Sequence, residues 1–316
     1  MRYEKVMITN RIDLLTKIES FLSVCGWDTH RKTDEILYVT DSLGGGLVFK
    51  FIPYKDDPNY GYSERSSIYV CKSIDNELGF NAQKGSSRVA YFRCQNSKIE
   101  LGATHLIADD KTFTIYIDME TASIKQNLLF TSGYITKSHE FNGGRVVFSS
   151  MRDYYNGGYN WGGYYEDNLG SSSIPFSQDS KTIFTLGGEN RHLLEADLRD
   201  SLFLTNLLKV NTSQTSIDYN QLSALSAVPL LDIGKSALSG LYTLVTPNFF
   251  YKNNQNVFVH AGSYDAVRVL RDEEVASNRF KNGQILHLGD EKFVILRPHL
   301  PTTSIGKVYT MAVKIA

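Results

Sequence analysis

The spacing of apolar residues changes from that of a helix to that of β-strands near the beginning of this sequence. Ahead of Gly26-Trp27, apolar side chains recur at steps of three and four residues, which places them on one face of a helix. Asn10 can cap the start of this helix and Gly26 can end it. We therefore predict an α-helix over residues 11–25. Its buried face would contain Leu14, Leu15, Ile18, Phe21, Leu22 and Cys25.

After Trp27 the period is close to two, which is typical of strands with one buried face. A polar turn at residues 108–111 separates two such runs and predicts a β-hairpin. Residues 121–129 are predicted to form a short helix that crosses back over the sheet. The predicted strands of this first part are residues 36–40, 47–52, 66–72, 88–94, 102–107, 112–118 and 145–149.

Strand-like runs return near Val228, and Gly289-Asp290 predicts a second tight hairpin. The fold class predicted for the whole chain is α+β. An N-terminal amphipathic helix packs on an antiparallel sheet, and a second, mainly antiparallel β module follows. The predicted domains are a helix-plus-sheet domain over 1–150, a Gly/aromatic-rich insertion or arm over 151–225, and a C-terminal β module over 226–316. The predicted strands of that module are 229–233, 257–260, 264–271, 284–288, 292–296 and 308–314.

The segment from residue 153 to residue 170 combines many aromatic residues with five glycines and fits neither the helix nor the strand period. Three interpretations stay open. Tyr and Trp contribute much of the binding energy at protein interfaces, so the segment can be a subunit contact. It can also stack on sugar rings, or fold over its own domain. The candidate interface or glycan-contact residues are Tyr154, Tyr155, Tyr159, Trp161, Tyr164 and Tyr165.

Charge and hydropathy argue against some partners. The chain has 33 basic and 34 acidic side chains, a net charge of -1, so no overall field attracts nucleic acid or anionic lipid. No apolar run approaches 18 residues, and residues 1–10 lack the apolar core of a signal peptide. We expect no nucleic-acid partner, no membrane insertion and synthesis in a cytoplasm. The three cysteines are expected to be free thiols.

Several stretches resemble catalytic motifs, but each lacks a residue that the chemistry requires. Gly234-Lys235-Ser236 has Pro229 where a phosphate loop needs its first glycine. His139-Glu140 would need a second histidine at Gly143 to bind zinc. Acidic pairs such as Asp109-Asp110 fall in predicted turns, where solvated carboxylates are common. The sequence therefore predicts no enzyme, no catalytic residue, no cofactor and no metal.

The helical start, the first hairpin and the end of the chain together resemble a poorly characterised family of tailed-bacteriophage virion proteins. In that family a helix similar to residues 13–22 precedes a Gly-Trp pair and then strands. The segments that carry the rest of the resemblance are 102–119, 128–130, 141–144 and 265–316.

This resemblance implies a structural component of the tail, baseplate or neck that works by protein–protein assembly. It implies other virion proteins as partners, copies of the same chain among them, and a location in the virion after synthesis in the bacterial host cytoplasm. The alternative function is a peripheral glycan- or receptor-binding module that contacts host surface glycans. A polysaccharide-degrading enzyme is disfavoured because the chain has no long parallel repeat.

Overall fold

A computed structural model describes the chain over residues 1–52, 66–84, 86–92, 101–120, 125–140, 143–149, 181–186, 203–205, 244, 246–252, 258–272, 280–296 and 308–316. Within these residues the fold is mostly antiparallel β-sheet with one α-helix, which is N-terminal, so the predicted α+β, β-rich class is confirmed. The chain divides into two units, Met1–Gly133 with Ser149–Glu166, and Tyr134–Phe148 with Asp167–Ala316.

The first unit contains the helix and two sheets. One sheet has the order β2-β3-β4-β5-β6, and the other contains β1-β7-β8-β9 in that order. Helix α1 packs against β2, β3 and β7. The bounds are β1 Arg2–Val6, α1 Arg11–Val24, β2 Asp28–Thr33, β3 Ile36–Thr40, β4 Gly46–Lys50, β5 Ser66–Cys71, β6 Ser87–Phe92, β7 Leu101–Ala108, β8 Phe113–Glu120 and β9 Lys125–Tyr134.

Residues close in sequence set both ends of α1: polar side chains at its start and a glycine after its end. The Asn10 side chain accepts a hydrogen bond from the Asp13 backbone N–H at 2.9 Å, and the Asp13 carboxylate accepts one from the Thr9 N–H at 2.8 Å. The first bond satisfies an N–H that the start of a helix leaves free, and the second fixes the residue before the cap. At the other end Gly26 has a φ of +91°, which a residue with a side chain rarely adopts. The predicted helix is confirmed, except that it ends one residue earlier.

Four aromatic rings join the parts of the first unit. The Phe113 ring on β8 lies 6.4 Å from Trp27, 5.8 Å from Phe49 on β4 and 6.4 Å from Phe130 on β9. All four side chains are buried. Trp27 follows the helix, Phe49 comes from one sheet, and Phe113 and Phe130 come from the other. The Phe113 junction therefore connects the helix end to both sheets.

A polar network surrounds the same end of the first unit. Trp27 Nε1 donates to the Asp109 carbonyl at 2.7 Å, so its ring is held by its polar edge as well. The Ser42 N–H donates to the Asp110 carbonyl at 2.9 Å, and the Ser42 hydroxyl donates to the Asp110 carboxylate at 2.8 Å. The β3–β4 and β7–β8 turns are thereby tied together.

The short helix predicted over residues 121–129 is wrong for the described part of that segment. Lys125–Tyr134 is strand β9, which pairs with β8 in the register Ile115↔Phe130. Leu128, Leu129 and Phe130 are consecutive and all fully buried, so both faces of the strand lie in protein. Such a strand has a continuous apolar run, which periodicity alone does not distinguish from a buried helix.

The second unit contains two four-stranded antiparallel arrangements, with the orders β10-β15-β14-β13 and β16-β19-β18-β17, and β11 lies beside β12. Strands β12 and β13 fall inside the predicted insertion of residues 151–225. The bounds are β10 Thr136–Lys137, β11 Gly143–Ser149, β12 Lys181–Leu186, β13 Phe203–Thr205, β14 Asn248–Lys252, β15 Phe258–Ser263, β16 Val267–Asp272, β17 Ile285–Leu288, β18 Glu291–Leu296 and β19 Val308–Lys314.

Replacing Phe113 by Ala is expected to lower the free energy of unfolding of the first unit by about 3–5 kcal/mol, because the change opens a cavity among three other rings. Urea unfolding followed by tryptophan fluorescence measures this, since Trp27 contacts the Phe113 ring. Leu43→Ala is the control, because the Leu43 side chain is exposed and its removal leaves no cavity. Equal midpoints for both variants would contradict the role of the Phe113 junction.

Gly262→Ala is expected to destabilise the second unit strongly. A Cβ at this position would lie 2.1 Å from the Thr136 carbonyl oxygen, and the backbone φ of +152° disfavours a side chain. Gly79→Ala is the matched control, since nothing lies within 4 Å of its added Cβ. Thermal unfolding should show a loss for Gly262→Ala alone, and an unchanged midpoint would disprove the close approach of β10 to β15.

Candidate functional site: an uncharged sheet edge

The six aromatic residues predicted to form an interface or glycan contact lie outside the described residues, so their roles stay predictions. These residues are Tyr154, Tyr155, Tyr159, Trp161, Tyr164 and Tyr165. Gly234-Lys235-Ser236 also lies outside the described residues.

The described residues contain no cluster typical of metal binding, and their candidate catalytic groups have structural contacts. In that part of the chain, no group of three or more His, Cys, Asp or Glu side chains is placed to hold a metal ion. Ser138 Oγ lies 3.2 Å from His139 Nδ1, but these are adjacent exposed residues. Cys25 is a free thiol, as predicted, and Cys71 is buried, whereas Cys94 lies outside the described residues. Asp109, in one of the acidic pairs, accepts hydrogen bonds from the backbone N–H groups of Lys111 and Thr112, which is the work of a turn residue.

His105 on β7 is the buried histidine of the first unit. Its Nδ1 is 2.9 Å from the Tyr3 hydroxyl on β1, and the Tyr116 ring on β8 meets it edge-on with 5.9 Å between centroids. Burial, together with the nearby positive charge of Lys5, lowers the pKa of His105 to about 4. The imidazole is therefore neutral at pH 7. Its contacts are those of a side chain that links the edge strand β1 to β7.

This buried histidine predicts a loss of stability in acid. The pKa of His105 is about 4 in the folded state and about 6.5 when the chain is unfolded, so between these values the unfolded state binds more protons. Its contribution is complete above pH 6.5 and falls by at most ~3 kcal/mol as the pH approaches 4. Urea titrations at pH 7 and pH 4.5 measure the difference.

His105→Gln should reduce this pH dependence, although the variant is expected to be less stable at pH 7. The carboxyl groups are the same in both proteins. The difference between their slopes of unfolding free energy against pH therefore gives the contribution of His105. His30→Gln, which changes an exposed histidine of the same unit, is the control variant. A His105→Gln protein with the full wild-type slope would show that His105 does not titrate as its burial indicates.

The strands at the edges of the described sheets differ in charge. An edge strand has unpaired backbone groups that can pair with another chain, and charged side chains usually prevent this. On β1 the ion pair Arg2–Glu4 lies beside Lys5, and on β16 Arg268, Arg271 and Asp272 are charged. β17 has the sequence Ile-Leu-His-Leu, with no Asp, Glu, Lys or Arg. Among the described edge strands β13 also lacks such residues, whereas β1, β2, β6, β10, β12 and β16 have them.

Strand β17 forms a hairpin with β18. Its register places Leu286 opposite Phe293 and Leu288 opposite Glu291, and Gly289 in the turn has a φ of +62°. Two large apolar side chains on this one strand are exposed, Ile285 to 38% and Leu288 to 42%. β17 is also the last strand of its sheet. We define Ile285–Leu288 as the open edge.

Strand β18, which pairs with the open edge, is anchored by buried side chains and by ion pairs. Phe293 and Ile295 on β18 are fully buried, and Leu286 packs against them. The Arg268 guanidinium lies 5.3 Å from the centre of the Phe293 ring, in a cation–π contact. Glu291 contacts Lys314 and Arg268, and the hydrogen bond from Lys314 lowers the pKa of the Glu291 carboxyl. The hairpin therefore presents the open edge from an ordered sheet.

The hairpin predicted at Gly289-Asp290 is confirmed, although no functional role was predicted for it. The signal was present in the sequence: the predicted strand 284–288 has five residues, none of them Asp, Glu, Lys or Arg, and is ended by Gly289-Asp290. What the sequence lacked was the order of strands. Only that order shows β17 to be at an edge, whereas β19, with its equally apolar centre, lies inside the sheet.

No protein-family model matches this chain, and no curated protein matches it either. Among the described residues there is no helix with the length and apolar character needed to cross a membrane.

Proposed function

We propose that this chain is a non-enzymatic structural component of a tailed-bacteriophage particle, in the tail, baseplate or neck, and that it works by protein–protein assembly. The observation that carries the assembly role is the open edge: an uncharged edge strand with exposed apolar side chains on an ordered sheet. Proteins that remain single chains usually protect such an edge with charge. An edge kept free of charge favours pairing with another polypeptide.

The charge of the chain is compatible with assembly. With a net charge of -1, copies of the chain do not repel each other strongly. The proposed partners are therefore other virion proteins and further copies of this chain. We further propose that the predicted C-terminal β module, residues 226–316, presents the open edge, and that residues 1–150 contain the helix-plus-sheet domain.

The phage assignment draws its support from the resemblance. Two segments of that resemblance are in the described part of the chain: Gly26-Trp27, which follows α1, and residues 102–119, which belong to the β7–β8 hairpin. The proposed location is accordingly the virion, after synthesis in the bacterial host cytoplasm. No catalytic step is assigned, because the buried His105 and the turn carboxylates are engaged in structural contacts.

Particle incorporation tests this function. Particles from a culture that expresses this sequence are purified on a density gradient and examined by peptide mass spectrometry. We expect the chain in the particle band at a constant ratio to the major virion proteins. Recovery only from the unassembled fraction would contradict the proposal.

The aromatic segment supplies the second part of the test. Trp161→Ala combined with Tyr159→Ala is expected to reduce incorporation at least several-fold if these residues form a subunit contact. Unchanged incorporation would remove them from the interface. Saturable binding of the wild-type chain to host surface polysaccharides, lost in Trp161→Ala, would instead favour the glycan-binding alternative.

A further inference from the structure

We propose that the open edge pairs antiparallel with the open edge of a second copy of this chain across a two-fold axis. The pairing would join two four-stranded arrangements β16-β19-β18-β17 into one sheet of eight strands. This inference rests on the proposed assembly function and names one contact by which it would occur. The backbone pattern of β17, its side chains and the charges at its two ends favour a second copy as the occupant.

The backbone of β17 leaves two residues free to pair outward. A two-residue turn makes Leu288 and Glu291 the first hydrogen-bonded pair of the hairpin, and such pairs recur at every second residue. Gln284 continues this pattern, since its carbonyl accepts from the Ile295 N–H at 2.8 Å. Residues 284, 286 and 288 therefore direct their backbone groups towards β18. The N–H and C=O groups of Ile285 and His287 point away from it.

Ile285 and His287, whose backbone groups point outward, are separated by one residue. This spacing suits a symmetric antiparallel pair. In such a pair Ile285 of one copy exchanges two hydrogen bonds with His287 of the other, and the second exchange follows by symmetry. Leu286 then lies directly opposite Leu286 of the second copy. Ile285, which is exposed in the single chain, then faces His287 of the second copy and lies diagonal to its Ile285. Leu288, also exposed, faces Gln284 and lies diagonal to Leu286 of the second copy.

Charges at the ends of β17 favour the antiparallel arrangement. The exposed Asp290 lies in the turn after the strand, and the exposed Lys281 lies in the turn before it. Antiparallel pairing brings the acidic turn of each copy near the basic turn of the other. Parallel pairing would place like charges side by side, which is unfavourable.

The other edge of the same sheet is a less suitable partner. Strand β16 carries Arg268, Arg271 and Asp272, and Arg268 is engaged with Phe293 and Glu291. Pairing β17 with β16 of the next copy would produce an open chain or a ring instead of a closed dimer. An edge strand without Asp, Glu, Lys or Arg pairs better with another such strand. The β17 strand of a second copy is one, and its exposed apolar side chains are Ile285 and Leu288.

The contact is short, so the dimer is expected to be weak. Four residues from each copy bury less surface than a standard stable interface of about 1,600 Å². A dissociation constant on the order of 10–100 µM is a reasonable expectation for the isolated pair. In a particle, other contacts hold neighbouring copies close and raise their effective concentration.

Sedimentation equilibrium of the full chain from about 1 µM to about 500 µM measures the association. The average mass should rise from 35.6 kDa towards twice that value. Ile285→Lys places a charge on the open edge and should keep the mass at that of one chain over the same range. Leu78→Lys is the matched control, because Leu78 is similarly exposed at 41% but lies outside the edge. It should associate like the wild type.

A cysteine at position 286 tests the register. In the symmetric pair the two Leu286 Cα atoms lie about 4.5 Å apart, within the range that a disulfide spans. Leu286→Cys, in a chain with Cys25→Ser and Cys94→Ser, should give a covalent dimer on mild oxidation. Gln284→Cys should cross-link far less, because its symmetry mate lies four residues away along the paired strand.

The outcomes separate this inference from the proposed function. Equal association of wild type and Ile285→Lys, a wild type that stays a single chain at every concentration, or growth into larger species would overturn the two-fold β17 pair. If the chain is nevertheless found in particles, the assembly function stands and another surface mediates it. If β17 pairs but the chain is absent from particles, the phage function fails and the dimer stands.

Discussion

The packing of Phe113 against Trp27, Phe49 and Phe130 is the contact on which the first unit depends. A lone amphipathic helix of this length is marginal in water, and a single sheet with one apolar face cannot bury that face alone. The Phe113 ring meets the residue that follows the helix and rings from both sheets, so each part covers the apolar surface of another. The hydrogen bond from Trp27 to Asp109 fixes the indole ring in the orientation this packing needs.

Acidic side chains in the turns of the first unit accept hydrogen bonds from backbone N–H groups. Asp41 is buried and accepts hydrogen bonds from the N–H groups of Leu43 and Gly45, and Asp109 does the same within its turn. A buried carboxylate is costly unless such donors surround it. These turns are therefore rigid connections, and the interpretation of Asp109-Asp110 as a turn pair rather than an acid/base pair is supported by the contacts of Asp109.

The contrast between strand edges links the fold to the proposed function. Most described edges contain charged residues that oppose further pairing, whereas the open edge contains none and exposes Ile285 and Leu288. Its sheet is stabilised by the buried apolar side chains of β18 and by the contacts among Arg268, Glu291 and Lys314. An ordered edge loses little conformational freedom on pairing, which favours association even through a small contact.

The sequence alone determined the elements whose signals are local. Helix α1 followed from its spacing and caps, and the hairpins followed from polar turns between alternating runs. Tertiary structure decided what depends on partners distant in the chain. Strand β1 has too few apolar residues to be predicted and forms by pairing with β7, and β9 is a strand because both its faces are buried. The lowered pKa of His105 and the exposure of β17 likewise follow from burial and strand order. Periodicity reports which face of an element is apolar, but not which neighbours will cover it.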